Sequence, residues 1–240
     1  MSRWKVWDDK QTYGDLFFKR AMGELPEMES SKALAKIIQP YLNEGDKIGD
    51  IGCGGGHYLR SLDNKSSKKF HYVGIDQTSY YIQKAKEAFS RPETKNELRL
   101  TTSFNQGDIF SIPLDDESID VTICNNVLLH LPSIEKPLSE LIRITKKTLI
   151  IRALIGEHTL RLKQVHKPEE FDKNGEPLNF HFHNIYSKAY VEKILIKNGI
   201  QKFHFFEDKD FHSDAFNTSE NYVAERPDNL TVVSNGMQVN

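Results

Sequence analysis

The stretch Lys47–Leu59, KIGDIGCGGGHYL, places four glycines within five residues, directly after a short apolar run that ends in an acid. Glycine is costly to order and gives a core nothing to pack. Its concentration at one turn implies that something must approach the backbone closely there. DKIGDIG (46–52) reads as a short buried strand, and HYLRSL after the glycines reads as a helix. In an open α/β sheet, ligands bind beyond the carboxyl ends of the strands, so a glycine turn at that place marks a candidate site.

Asp50-Ile51-Gly52-Cys53-Gly54-Gly55-Gly56 fits the pattern acid-x-Gly-x-Gly-x-Gly. At average glycine usage this arises by accident in a chain of this size on the order of 1% of the time. A dinucleotide fingerprint, G-x-G-x-x-G, fails, because the third glycine falls on His57 counting from Gly52 and on Leu59 counting from Gly54. A P-loop would need Lys-Ser or Lys-Thr after the glycines, and neither follows. The loop suits a closely approaching ligand that carries no diphosphate.

The surrounding chain extends the strand–helix rhythm. Residues 12–39 read as two helical pieces, interrupted by Pro26 and restarted with a serine cap at SSKALAKII. FHYVGIDQ (70–77), the stretch ending near Gly107-Asp108, SIDVTICNN (118–126) and KTLIIRALI (147–155) read as further strands. SYYIQKAKEAFSR (79–91, capped by Ser79) and SIEKPLSELIRIT (133–145) read as helices between them. Near-continuous apolar strands alternating with helices predict a parallel α/β sheet. After residue 155 the rhythm breaks into about thirty polar residues with a KNGEP turn, and a connection that long is usually functional or mobile. The rhythm resumes with a helix at 187–199, capped by Ser187 and closed by Gly199. QKFHFFED and ENYVAERP read as two last, antiparallel strands.

Composition narrows the class. The chain has 240 residues, 38% hydrophobic and 28% charged, enough for one large domain with a real core. With 32 basic and 34 acidic residues the net charge is −2, so no global positive field favours a nucleic-acid backbone. Cys53 and Cys124 stand in unrelated contexts, which speaks against a zinc site or a disulfide framework. The opening MSRWKVWDDK has no apolar h-region, and no apolar run reaches the length of a membrane span. The expected compartment is the cytoplasm, where the sequons at Asn64, Asn217 and Asn229 carry no meaning.

GDIGCGGG, then VGID ending the next strand, then GDIF and IDVTICNNVLLHL resemble the successive motifs of class I S-adenosylmethionine-dependent methyltransferases. The resemblance covers residues 46–155 well and the last two strands loosely. It implies a Rossmann-like three-layer α/β sandwich whose seven-stranded, mostly parallel sheet has an antiparallel last strand. It divides the chain into an N-terminal helical lid (1–45), a cofactor-binding core (46–155), a substrate-cap insertion (156–186), a return to the core (187–227) and a disordered tail (228–240). It implies S-adenosyl-L-methionine as cofactor, with Gly52, Gly54 and Gly56 offering bare backbone to its methionine end and Asp50 holding the amino group. Asp76, with Gln77 beside it, would accept hydrogen bonds from the ribose hydroxyls. Asp108 and Ile109 would meet the adenine, and Asn125 would lie under the methionine portion. Tyr13 and Arg20, seven residues apart, share one face of a lid helix, where Arg20 would clamp the carboxylate or lie solvated. Plainer readings stand beside these: Asp76 as a helix cap, Asp108 as a turn acid, Cys53 as a small packed residue.

Methyl transfer is an in-line displacement in which positioning dominates, and a base helps only if the acceptor carries a proton. His130, beyond the fourth strand, either takes that proton or anchors its loop. Arg152, unusual in an apolar strand, either binds an anionic acceptor group or meets a structural partner, with His158 just beyond it. His181 and His183 lie on one side of an extended chain, where they either face the acceptor or, for at least one of them, stand exposed with no role; they make two-thirds of a metal site, but no third ligand is evident and no metal is expected. The expected acceptor is a small molecule, methylated on oxygen or nitrogen by a monomer or homodimer, with neither membrane nor nucleic acid as partner. Two alternatives stay open. A tRNA or protein methyltransferase would draw on the basic residues of 143–167; a non-catalytic module would keep the fold as a scaffold.

Overall fold

The computed structural model describes residues 11–91, 101–206 and the strand 230–233. Its parallel strands are β1 (Lys47–Ile51), β2 (His71–Asp76), β3 (Thr101–Gln106), β4 (Ile119–Asn125), β5 (Thr145–Gly156) and the short β8 (Tyr186–Ser187), in the order β3-β2-β1-β4-β5-β8. The seventh, β9 (Leu230–Val233), pairs antiparallel with the end of β5. The helices are α1 (Gln11–Met22), α2 (Glu29–Ile37), α3 (His57–Lys65), α4 (Ser79–Ser90), α5 (Glu135–Ile144) and α6 (Lys188–Lys197). The result is the expected Rossmann-like arrangement.

β1 and β4 are buried along nearly their whole length, as strands covered on both faces must be. Successive side chains alternate between two cores. Tyr72, Val121 and Ile123 join Leu34, Leu59 and Phe89 from α2, α3 and α4. Ile75 and Cys124 join Leu138, Leu141 and Ile194 from α5 and α6. Register aligns Ile51 with Ile75 and Asp76 with Gln106. The carboxyl ends of β1, β2 and β3 therefore share one rim.

Several boundaries differ from the sequence reading. α2 is preceded by Met28 at its cap position, and Ser31 lies inside the helix, its hydroxyl donating back to the Met28 carbonyl. Thr78, not Ser79, occupies the cap position of α4. Ser187 does cap α6, accepting from the Tyr190 N–H. Residues 201–206 form no strand, and ENYVAERP lies outside the described residues. An antiparallel strand lies at 230–233, inside the segment expected to be a disordered tail. The long polar insertion is an antiparallel arm, with β6 (Lys163–Val165) paired to β7 (Phe180–Phe182) and bridges at Leu160–Ile185 and Phe171–Pro177. Its periodicity was masked because each strand is only three residues long.

Gly56 closes the glycine turn with φ +76°, and a Cβ there would stand 2.8 Å from Phe89 and 3.0 Å from Phe104. Its bareness serves the turn and the core on that side, not an open cleft. Gly56→Ala should therefore lower stability by about 2 kcal/mol or more, through left-handed strain and overpacking together. Denaturant unfolding checks this; an unchanged midpoint would show that the aromatic pair has room to give.

Candidate functional site

A cleft of about 380 Å³ opens at the carboxyl ends of β1, β2 and β4, within the size range of small-molecule sites. Its floor is the glycine turn. The N–H groups of Gly52 and Cys53 both donate to the Ile75 carbonyl, at 2.7 and 3.1 Å. Asp76 ends β2, and its carboxylate bridges two loops: Oδ2 accepts from Gly54 N–H and Oδ1 from Thr78 N–H, both at 2.8 Å. Asp76 itself lines the cleft. Gln77 and Thr78 continue this wall, and Gly107 and Ile109 extend it.

Two polar side chains on the wall lack partners among the described residues. Both the Nδ2 and Oδ1 of Asn125 are buried without a hydrogen bond, as is Nδ1 of His57. Asn125 is 7% exposed and His57 8%. Buried polar atoms are normally paired, so orphans in a cleft wall mark where a polar ligand belongs. Burial, with a smaller contribution from the Arg20 charge, depresses the His57 pKa to about 3, which leaves the ring neutral.

The roof comes from α1. The Phe17 ring stacks on His57 at 4.4 Å and 6° and lies 3.0 Å from where a Gly54 Cβ would be. Tyr13, one turn earlier, also lines the cleft. On the far side, Asn126 holds a left-handed conformation, φ +58°. Its Oδ1 accepts from Arg152 Nη1 at 2.9 Å, and its N–H donates to the Arg152 carbonyl at 2.9 Å.

His130 reaches the cleft from a 3-10 turn, and its Nδ1 lies 2.9 Å from the Phe182 carbonyl. A carbonyl only accepts, so Nδ1 carries the hydrogen in this contact. The arm brings His181 and His183 within 6.1 and 5.9 Å of the His130 ring. His181 itself is buried against His166, with Nδ1 to Nε2 at 2.9 Å. Among the described residues no group of three or more His, Cys, Asp or Glu side chains could hold a metal ion.

Of the residues singled out in the sequence, Tyr13, Gly52, Gly54, Asp76, Gln77, Ile109, Asn125 and His130 share the cleft wall, whereas Arg20, Asp50, Gly56, Asp108, Arg152 and His181 stand off it. Asp108 shapes a turn, accepting from Phe110 N–H at 2.9 Å. Arg152 holds Asn126 and is 6% exposed. Asp50 lies behind the glycine turn, its Oδ2 accepting from the Tyr72 hydroxyl at 2.5 Å. Sequence reasoning missed Phe17, His57, Tyr81, Asn126 and Val127 as wall residues. The i, i+4 spacing of Tyr13 and Phe17 was the available signal for the roof.

Comparison with known proteins agrees with this fold. The family described as methyltransferase domain matches residues 42–199. An uncharacterized methyltransferase of Schizosaccharomyces pombe is 33% identical over 107 residues, covering 44% of this chain and 38% of that protein. The ubiquinone/menaquinone biosynthesis C-methyltransferase UbiE of Campylobacter jejuni is 28% identical over 136 residues, covering 55% of this chain and 53% of that protein. The chain thus matches about half or less of these relatives' length. The crystal structure of a SAM-dependent methyltransferase from Aquifex aeolicus superimposes with a TM-score of 0.51 at 22% identity, over 75% of this chain and 88% of that one.

Burial, reinforced by the Asp76 charge and partly offset by the Tyr72 hydrogen bond, raises the Asp50 pKa from 3.8 to about 7. Between those values the folded chain holds a proton that the unfolded chain has released. The contribution of Asp50 to stability is therefore full below about pH 4 and is lost as pH rises through 7. Asp50→Asn should remove a decline on the order of 2–4 kcal/mol across that window. Urea unfolding at pH 5 and pH 8 measures it; an identical decline in the variant would assign the titration to another group.

Proposed function

The chain belongs to the methyltransferase-domain family, and we propose that it transfers a methyl group from S-adenosyl-L-methionine to a small-molecule acceptor. The observation that carries this reading is the meeting, on one cleft wall, of the glycine turn, the Asp76 carboxylate and the orphaned Asn125 carboxamide. A carboxylate at the end of β2 suits a ribose diol. Ile109 and Ile75 offer an apolar slot to a purine ring, beside Gly107. Gly52 brings backbone to the remaining portion, and Asn125 lines the same cleft. The bound cofactor supplies an activated methyl group on a sulfonium; the chain's residues supply position.

His130 sits where the acceptor side of the cleft meets the arm. Its Nδ1–H is held by the Phe182 carbonyl, so Nε2 is the atom that takes the proton of an acceptor hydroxyl or amine. Oxygen or nitrogen is our preferred acceptor atom. A carbon acceptor is the second reading, favoured by the C-methyltransferase name of the Campylobacter relative. The small-molecule reading gains support from the stretch 143–167, where a nucleic-acid surface would have to lie. Arg143 is paired with Glu140 and Asp116, Lys147 with Asp46 and Asp120, and Lys163 with Glu176, so much of that charge is neutralised within the chain.

Calorimetric titration with S-adenosylhomocysteine tests the reading; a folded chain that takes up none of it would overturn it. Asp76→Ala should weaken that binding by about 1–3 kcal/mol, the range for hydrogen bonds to a charged group. His130→Asn keeps a donor near the Nδ1 position and deletes Nε2. It should slow turnover about 10²- to 10⁴-fold while leaving S-adenosylhomocysteine affinity unchanged. Nuclear magnetic resonance of the methylated product then identifies the acceptor atom.

A further inference from the structure

We propose that His57 is a specificity-determining residue for the cofactor's amino-acid end, pairing through Nδ1 with its carboxylate while the Asn125 carboxamide takes the ammonium and a second carboxylate bond. The inference rests on the methyltransferase reading and names a residue outside the glycine pattern.

His57 is the first residue of α3, immediately after the glycine turn, and lines the cleft. Its ring edge lies by Gly54, with Cε1 3.7 Å from where a Cβ would stand on that glycine. Phe17 covers one face of the ring and Tyr58 tilts against it at 4.8 Å. Packing alone does not account for an imidazole here, because a phenyl ring would stack equally well and leave no nitrogen orphaned. Nδ1 is buried with no partner among the described residues, and so are both polar atoms of Asn125. Three orphan atoms on one wall ask for a ligand that both donates and accepts.

A zwitterionic amino acid meets that demand. Its ammonium donates to Asn125 Oδ1, and its carboxylate accepts from Asn125 Nδ2 and from His57 Nδ1–H. A neutral apolar group in the same place would leave all three unsatisfied. The positive charge of Arg20 acts on His57 and favours an incoming carboxylate. Phe17 holds the ring plane, so that α1 orients His57 without itself touching the carboxylate.

The test compares two adenosyl thioethers, S-adenosylhomocysteine, which carries the amino acid, and 5′-methylthioadenosine, which lacks it. His57→Phe, which preserves the stack on Phe17, should weaken S-adenosylhomocysteine about tenfold by calorimetry and leave 5′-methylthioadenosine unchanged. His57→Asn, whose carboxamide sits near the Nδ1 position, should recover most of the loss; His57→Gln, which reaches toward Nε2, should not. Unchanged S-adenosylhomocysteine affinity in His57→Phe, or an equal loss for both ligands, would overturn the assignment while leaving the cofactor reading intact. Failure of the unmodified chain to bind either thioether would overturn both.

Discussion

The site depends on the junction between the ends of β1 and β2. The Ile75 carbonyl accepts from Gly52 and Cys53, and the Asp76 carboxylate accepts from Gly54. Three successive backbone N–H groups of the glycine turn are thus fixed by the last two residues of the neighbouring strand. The turn carries positive φ at Gly52, Gly54 and Gly56, a geometry that persists only when its surroundings over-determine it. The other oxygen of the same carboxylate sets the entry to α4 through Thr78. One side chain therefore ties the floor of the cleft to its wall before any ligand arrives. Pre-organisation of this kind lowers the ordering cost of binding.

The His130 side of the cleft is fixed by a different device. Backbone carbonyls of the 128–132 loop must find donors once the arm covers them. Leu129 accepts from Asn184 N–H, Leu131 from Asn184 Nδ2, Leu128 from the Tyr186 hydroxyl and Pro132 from Arg161 Nη2. The arm returns one carbonyl, Phe182, to His130. Asn184 is wholly buried, which its reciprocal bonds make tolerable. The polar insertion is consequently a wall of the molecule, seated on the loop that presents His130.

What could be read in the sequence was local or periodic. The apolar runs, the glycine turn, Asp76 at a strand end and the Ser187 cap each carry a signal within a few residues. The stack of Phe17 on His57 joins positions forty residues apart, and nothing in either neighbourhood announces the partner. Gly56 illustrates a subtler loss: the pattern marked it as bare, but only packing reveals that Phe89 and Phe104 use the bareness. The arm escaped because its strands are too short for alternation to register, and its pairing across the KNGEP turn is set by the loop beneath it. β9 escaped because a strand seated on the end of β5 gains its place from the partner strand more than from its own four residues.

Arg152, read in the sequence as binding an acceptor group or a structural partner, bonds to Asn126. A guanidinium at 6% exposure needs compensation, and Asn126 Oδ1 provides part of it. The Asn126 N–H donates in return to the Arg152 carbonyl, so the two residues clip the end of β4 to β5. Asn126, at the clip, is left-handed with φ +58°. Asn125 is turned to the cleft with its carboxamide unpaired, and Val127 is pressed against the glycine turn. A Cβ on Gly52 would meet Val127 Cγ2 at 2.2 Å, so the first glycine is required by a side chain as well as by its φ of +82°. The β4–β5 clip, the Val127 contact and the β2 carboxylate therefore close a ring of constraints around the cleft.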